Sequence, residues 1–404
     1  MIVLALNCGS SSLKFQAFVC DPGGPRPPRR LARGLVDRLG DQATLTFQAE
    51  GGAPLRQREA IPSPEAAMRR VLAWLAAERA FEGAPVDAVG HRVVHGGERF
   101  TQPVLVDAEV AAAIEALEVL APLHNRPSLA GIHAARAALG AGVPMVAVFD
   151  TAFHAEMPER ASRYAIPHEL ALKHGIRRYG FHGLAYRSVL PRYAELAGLP
   201  AERVTLVAFH LGNGCSAAAI KGGRSVDTSM GLSPLEGLVM GTRSGDVDPA
   251  LVGHLTRTEG VTVSEVERWL NERAGLRGLS GRSHDMRDLL ARERDDARAR
   301  LAVEVFCYRA RKYLGAYLAA LGGADAVVFS GGIGEHAAEV RARICAGMEW
   351  AGLVLDPALN ASTVGREGRL SSEGTRLPAY VIPADEERVI AEDTIEVLAR
   401  NVHR

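Results

Sequence analysis

From Val226 to Pro249 the chain reads VDTSMGLSPLEGLVMGTRSGDVDP, with Arg243, Asp227, Glu236, Asp246 and Asp248 set among glycines and almost no core periodicity. A segment of that make-up holds charge; it does not fill a core. LNCGSSSLK compresses the Asn7 amide, the hydroxyls of Ser10, Ser11 and Ser12 and the Lys14 ammonium into one turn, where Gly9 allows close backbone approach. HLGNGCS sets Asn213 between Gly212 and Gly214, after His210 and Leu211, so that backbone N–H groups can reach phosphate oxygens. GGIGEH, from Gly331 to His336, opens a helix, whose N-terminus favours an anion. Arg92 in HRVVHGGE and Arg243 in GTRSGD stand in a strand or turn, where a planar fork can bind a carboxylate and a phosphoryl oxygen together. Asp150 ends the run VAVFD and Glu386 lies in PADEERVIAEDT; hard Mg²⁺ takes one or two such carboxylates and completes its shell with water and phosphate. A phosphate cradle, a metal site and cations at the moving group are the parts of phosphoryl transfer, which is mostly positioning and charge neutralisation.

Each part also has a plainer reading. The CGSSS turn can be an ordinary hairpin, an isolated arginine a surface ion pair, Asp150 and Glu386 helix caps, and His124 and His210 satisfied core histidines. The usual nucleotide cradle G-x-x-x-x-G-K-[ST] and the protein-kinase signatures are absent. Gly212–Ala217 and Gly332–Ala337 match a dinucleotide-binding pattern, but the first leads into a strand where that pattern requires a helix. His91 and His95 lie four apart in a stretch that reads as strand, with no Glu after His91, which excludes the metalloprotease arrangement.

These residues need a scaffold of alternating strand and helix. Ile2–Leu6 and Phe15–Val19 read as strands around the first turn; Glu65–Ala80 has Met68, Val71, Leu72 and Leu75 at helical spacing, before a strand through Ala88–His95. Val143–Phe149 and Val204–Phe209 are apolar runs ending at polar residues, as strands do at ligand sites in open α/β sheets. Ile2–Leu6, NCGSSS and a strand are echoed by Val204–Phe209, HLGNGCS and Ala217–Lys221, and a third strand, Ala326–Phe329, runs into SGGIGEH, so a duplicated fold is expected.

With 404 residues two domains are expected, with a cleft between them. Lys+Arg and Asp+Glu balance at 47 each and no block of like charge occurs, which argues against nucleic-acid and membrane-surface partners. Five scattered cysteines without a C-x-x-C support neither a disulfide framework nor a zinc knuckle, and a reducing cytoplasm fits them. The start MIVLALNCGSSS carries no basic leader, and no apolar stretch is long enough for a membrane span.

Taken together, LNCGSSSLKF, HRVVHGGE, YGFHG (Tyr179–Gly183), HLGNGCS and the segment Val226–Pro249 resemble the acetate kinase family of acetate and propionate kinases, over nearly the whole chain. The resemblance implies a two-domain duplicated actin-like (ribonuclease H-like) ATPase fold, with domains 1–154 and 155–386 and a C-terminal helix 387–404 packing back on the first. It implies reversible in-line transfer of the ATP γ-phosphoryl group to acetate, with Mg²⁺ (or Mn²⁺) as cofactor, in a homodimer. Arg92, Arg243, His182, Asp150 and Asn7 would be catalytic, with His182 donating to the transferring group; Asn7, Asp150 and Glu386 would serve the metal. Val94, Leu123, Phe181 and Pro234 would face the acyl group. Ser12, Lys14, His210, Leu211, Gly212, Asn213 and Gly214 would hold phosphates, and Asp285, Met286, Arg287, Gly332, Ile333, Gly334 and His336 the nucleoside. Where the family usually has GTSH after the histidine segment this chain has LAYRS, APLHNPPN is replaced by APLHNRPS, and His336 stands for an Asn. A propionate- or butyrate-preferring kinase and an actin-like nucleotide switch without small-molecule turnover remain as alternatives.

Overall fold

The run Ile2–Cys8 (β1) is apolar almost throughout, and such a run suits a strand covered on both faces. The computed structural model describes residues 1–404 except Ser10, Ser11, Pro25, Arg79, Ala80, Glu82, Gly83, 120–124, His403 and Arg404, and except the side chain of Val402. Two compact units result: Met1–Ala152 with Asp385–Arg404, and Phe153–Ala384.

In the first unit β1 is followed by Ser12–Val19 (β2), Arg29–Asp37 (β3), Gly40–Ala49 (β4), Leu55–Ile61 (β5), Ala88–Val93 (β6), Val104–Leu105 (β7) and Met145–Phe149 (β8). Among the described residues they form one sheet in the order β5-β4-β3-β2-β1-β6-β8-β7. Leu4, Leu6, Val89 and Val93 join a core closed by the helices Pro64–Ala77 and Asn125–Leu139. Ser63 caps the first of these, accepting from the Ala66 N–H, and the buried stripe is Ala67, Met68, Val71, Trp74 and Leu75, with Leu72 at its margin. Gly90 points to the other face, against the helix Glu386–Val402: a Cβ there would stand 2.3 Å from Thr394 Oγ1 and 2.5 Å from Ile390 Cγ2.

The second unit contains Thr205–Leu211 (β9), Cys215–Lys221 (β10), Arg224–Thr228 (β11), Ala326–Ser330 (β12), Gly368–Arg369 (β13) and Ala379–Val381 (β14), ordered β11-β10-β9-β12-β14-β13. The pairings β3-β2 and β2-β1 are antiparallel and β1-β6 and β6-β8 parallel. Those of β11-β10-β9-β12-β14 repeat that pattern sense for sense. The echo seen in the sequence is therefore a repeat of five strands. In each copy the polar residues follow the first hairpin strand and the parallel strands, at one end of the sheet.

His91 on β6 is buried, and its Nε2 has no hydrogen-bond partner among the described residues. Burial, and then the Arg136 cation, push its pKa down to about 3, so the ring stays neutral in the native state and charges only on unfolding as pH falls. The resulting stability is complete above the unfolded value of about 6.5 and is lost as pH drops from there toward the folded value, at about 1.4 kcal/mol per pH unit. Urea unfolding between about pH 6.5 and pH 5 is expected to show a shallower pH slope in His91→Gln than in the parent; equal slopes would show that this ring does not titrate on unfolding.

Candidate active site

At the end of β1, β6 and β8 the first unit gathers Asn7, Arg92 and Asp150, and the start of the helix Glu386–Val402 brings Glu386 to them. The Arg92 guanidinium donates through Nε to Asp150 Oδ1 (3.0 Å), through Nη2 to Asp150 Oδ2 (2.5 Å) and through Nη1 to Asn7 Oδ1 (3.2 Å). Its Nε stands 4.0 Å from Glu386. Burial opposes the charge on Arg92, but Asp150 and Glu386 outweigh it and hold the guanidinium protonated. Burial, with Asp150 and Glu387 beside it, pushes Glu386 up to about 7 against the pull of Arg92 and Lys14. Burial is the largest cause, and the neighbouring carboxylates add to it.

Lys14, on β2, ends on Glu387 (2.7 Å), a buried carboxylate that also accepts from Gln16 Nε2 at 3.0 Å. Its ammonium is thus committed to a neighbour of the arginine cluster. Ser12 lies on β2 and Val94 follows β6, buried. Leu123, His124, Ser10 and Ser11 fall outside the described residues.

The second unit brings together His182, His210, Asn213, Gly214 and Arg243. His182 holds a left-handed backbone (φ 59°, ψ 24°) at the entry to the helix Gly183–Ala197. Such a conformation costs a non-glycine residue about 1–3 kcal/mol and persists where the surroundings dictate it. Here its carbonyl accepts from Tyr186 N (3.2 Å) and its Nδ1 pairs with Ser216 Oγ (2.8 Å), which in turn pairs with the Tyr186 hydroxyl (2.5 Å). The departure LAYRS therefore supplies a support of its own, Tyr186, to the histidine beside it. Engaging Nδ1 leaves Nε2 toward the turn 212–214: a Cβ at Gly214 would lie 3.5 Å from it and 2.6 Å from Arg243 Nη2. A side chain at 214 would push the tip of Arg243 aside. A Cβ at Gly241 would likewise meet Asn213 Oδ1 at 2.1 Å, and Gly241 N donates to Asn213 O at 2.9 Å, so the turn 212–214 and the arginine loop are laced together. Arg243 Nη1 donates to Pro234 O (2.6 Å), and the His182 and His210 rings lie 4.6 Å apart, with His210 Nδ1 on Ser330 Oγ at 3.2 Å. Leu211 and Phe181 are buried, as is Pro234.

Among the nucleoside candidates, Asp285 caps the helix Met286–Arg292 by accepting from Arg287 N (2.9 Å) and is bridged by the Arg287 side chain through Nε (3.1 Å) and Nη2 (2.6 Å). Met286 is buried. Gly332, Ile333, Gly334 and His336 form the short helix Gly331–His336, where His336 Nδ1 pairs with Gly332 O at 3.1 Å.

A model of the "Acetokinase family" matches residues 2–392 of this chain. The chain belongs to the acetokinase family. An acetate kinase of Solibacter usitatus is 52% identical, covering 100% of each chain, and one of Chloroherpeton thalassium is 48% identical, covering 99% of this chain and 100% of the relative. The crystal structure of Porphyromonas gingivalis acetate kinase is 40% identical, with a TM-score of 0.89 over 98% of this chain and 99% of that one. A propionate kinase from Francisella tularensis is 37% identical, with a TM-score of 0.90 over 98% of this chain and 99% of that one. As a member of the acetokinase family the protein is a kinase, an ATP-dependent carboxylate phosphotransferase that requires a divalent metal, and its two-unit α/β architecture is the actin-like ATPase fold. Among the described residues no helix is long and apolar enough to cross a membrane.

Sequence reading missed Glu387, Ser216 and Tyr186, which support the acetokinase residues from behind. Glu387 follows Glu386 directly and Ser216 closes HLGNGCS, so both were adjacent to a recognised pattern; nothing local marked Tyr186. A further tie, Arg178 to Glu236 (2.6 Å) with the Tyr164 hydroxyl also on Glu236, braces the loop that carries Arg243.

Proposed function

We propose that the protein transfers the γ-phosphoryl group of ATP reversibly to acetate, giving acetyl phosphate and ADP. A carboxylate oxygen forms the new bond to phosphorus as the bond to the β-phosphate oxygen breaks, in line, and ADP leaves with that electron pair. The observation that carries this reading is the bidentate hold of Asp150 on Arg92. A guanidinium has five N–H groups; three are spent on Asp150 and Asn7, and the two that remain can take one carboxylate or phosphoryl oxygen edge-on. Arg243 neutralises equatorial oxygens, and His182, its Nδ1 engaged by Ser216, donates from Nε2. Asn213 and Gly214 present backbone to phosphate. The cation is proposed to be Mg²⁺, for which Mn²⁺ can substitute: the hard oxygen donors of Asp150, Glu386 and Asn7 suit it. When bound it neutralises phosphate charge. Gly332, Ile333, Gly334, His336, Asp285 and Arg287 are proposed to hold the nucleoside. A homodimer and a cytoplasmic site are proposed on the family likeness, and on five buried free cysteines for the latter.

Val94, Phe181 and Pro234 are apolar, so the acyl pocket they are proposed to line selects by size alone, and one methylene is worth about 1–3 kcal/mol there, or roughly 10–200-fold. Trapping acyl phosphate with hydroxylamine across straight-chain acids is expected to rank acetate first, propionate slower and butyrate poor, with Val94→Ala shifting the ratio toward propionate. No product from any short-chain acid, in folded protein, would overturn the reading; butyrate first would overturn the pocket.

A further inference from the structure

Arg341 is wholly buried in the helix Ala338–Cys345, and all five of its N–H groups end on oxygens of uncharged groups. Nε donates to Asn360 Oδ1 (2.9 Å), Nη1 to Gly334 O (2.8 Å) and Glu335 O (3.1 Å), and Nη2 to Asn360 O (2.9 Å) and Thr363 O (2.6 Å). Burial without a carboxylate lowers its pKa to about 10. A buried guanidinium held only by carbonyl oxygens is expensive, and an apolar side chain would fill the space at less cost. What an apolar side chain could not do is satisfy the carbonyls that two short helices, Gly331–His336 and Pro357–Ser362, leave open at their C-terminal ends. Helices of one or two turns do not hold their shape alone. Two further contacts lie along the same seam: Gly365 N donates to Glu335 O at 3.0 Å, and a Cβ at Gly365 would stand 2.8 Å from His336 Nε2.

We propose that Arg341 is a positioning residue for nucleotide binding: it clamps the segment Gly331–His336 to the segment Asn360–Gly365 and so fixes the backbone that receives the nucleoside and the place of His336. The proposal rests on the reading that Gly332–His336 holds the nucleoside. A clamp of this kind acts on nucleotide affinity and leaves the acyl side and the transfer step alone. A fault in packing would instead lower the melting temperature and every kinetic constant together.

The test uses the full chain with Arg341→Lys, which keeps the charge but supplies three donors from one point, and the milder Asn360→Ala, which removes the acceptor of Arg341 Nε and the Asn360 Nδ2 donor to Ala338 O. Backbone hydrogen exchange over 331–337 in the parent, with and without Mg²⁺ and ADP, first establishes whether that segment meets the nucleotide. Protection is expected. Calorimetry should then show the Kd for ADP raised about 10-fold or more in Arg341→Lys and about 3-fold in Asn360→Ala, while kcat at saturating ATP and KM for acetate stay within about 3-fold of the parent. Exchange over 331–337 without nucleotide should quicken in both. Should Arg341→Lys fail to fold, Asn360→Ala decides. No protection by ADP in the parent would remove the segment from the nucleotide site and overturn the proposal with it. Protection in the parent with parental Kd in the variants would overturn the role of Arg341 alone, as would a uniform fall in all constants.

Discussion

Arg243→Lys is expected to lower kcat by about 10³-fold or more, some 4 kcal/mol of transition-state stabilisation, with the melting temperature close to that of the parent. The loop would survive because its ties run elsewhere: Gly241 N to Asn213 O, Ala274 N to Thr242 O and Met240 N to Arg243 O are all main-chain bonds. What goes is the fork. Nη1 is spent on Pro234 O, and Nη2 reaches past Gly214 toward His182. An ammonium on a flexible stem can keep one of these directions and cannot hold both in a plane. Rates measured in both directions, within a few-fold of the parent, would remove Arg243 from the reaction.

Asp150→Asn is expected to cost at least about 10²-fold in kcat and to raise the metal concentration at half-maximal rate. The amide keeps an acceptor for Arg92 Nε but loses the second oxygen, so the fork is no longer held at both points. Removing one member of a buried pair destabilises by about 3–5 kcal/mol when nothing replaces it. The cost here should be smaller, since Glu386 lies 4.0 Å from the same guanidinium and takes up its charge. Titrating Mg²⁺ at saturating ATP separates the two roles: a slower enzyme with the parental metal requirement would mean that Asp150 serves Arg92 only.

Much of the scaffold was legible because strands of the β1 kind announce themselves, and because the residues at their ends break the apolar run abruptly at Asn7, Asp150 and His210. The partners of those residues were not legible. Lys14 and Glu387 are brought together only by a helix that returns to the first sheet from the far end of the sequence, so the carboxylate on Lys14 was not legible beside it. Asp285 and Arg287 were read as nucleoside contacts without the helix cap and the bridge that they also form. Arg341 shows the limit most clearly. In AEVRARIC it stands two positions from Arg343, which pairs with Glu293 and Glu339 near the surface. Residue type does not tell the two arginines apart. The buried set Val340, Arg341, Ile344 and Cys345 does, since Arg341 lies on the stripe and Arg343 off it.

The helix Glu386–Val402 has a consequence for how the molecule is made. The second unit is one uninterrupted stretch, Phe153–Ala384, and can complete its sheet while synthesis continues. The first unit cannot. Its strands emerge first, yet the face of β6 at Gly90 stays bare until Ile390 and Thr394 arrive to cover it. Glu386 and Glu387 arrive with them, so Arg92 and Lys14 wait through the whole of the second unit for those carboxylates. The first unit is thus the later of the two to be completed, because its charge cluster waits for residues that follow the second unit in the chain.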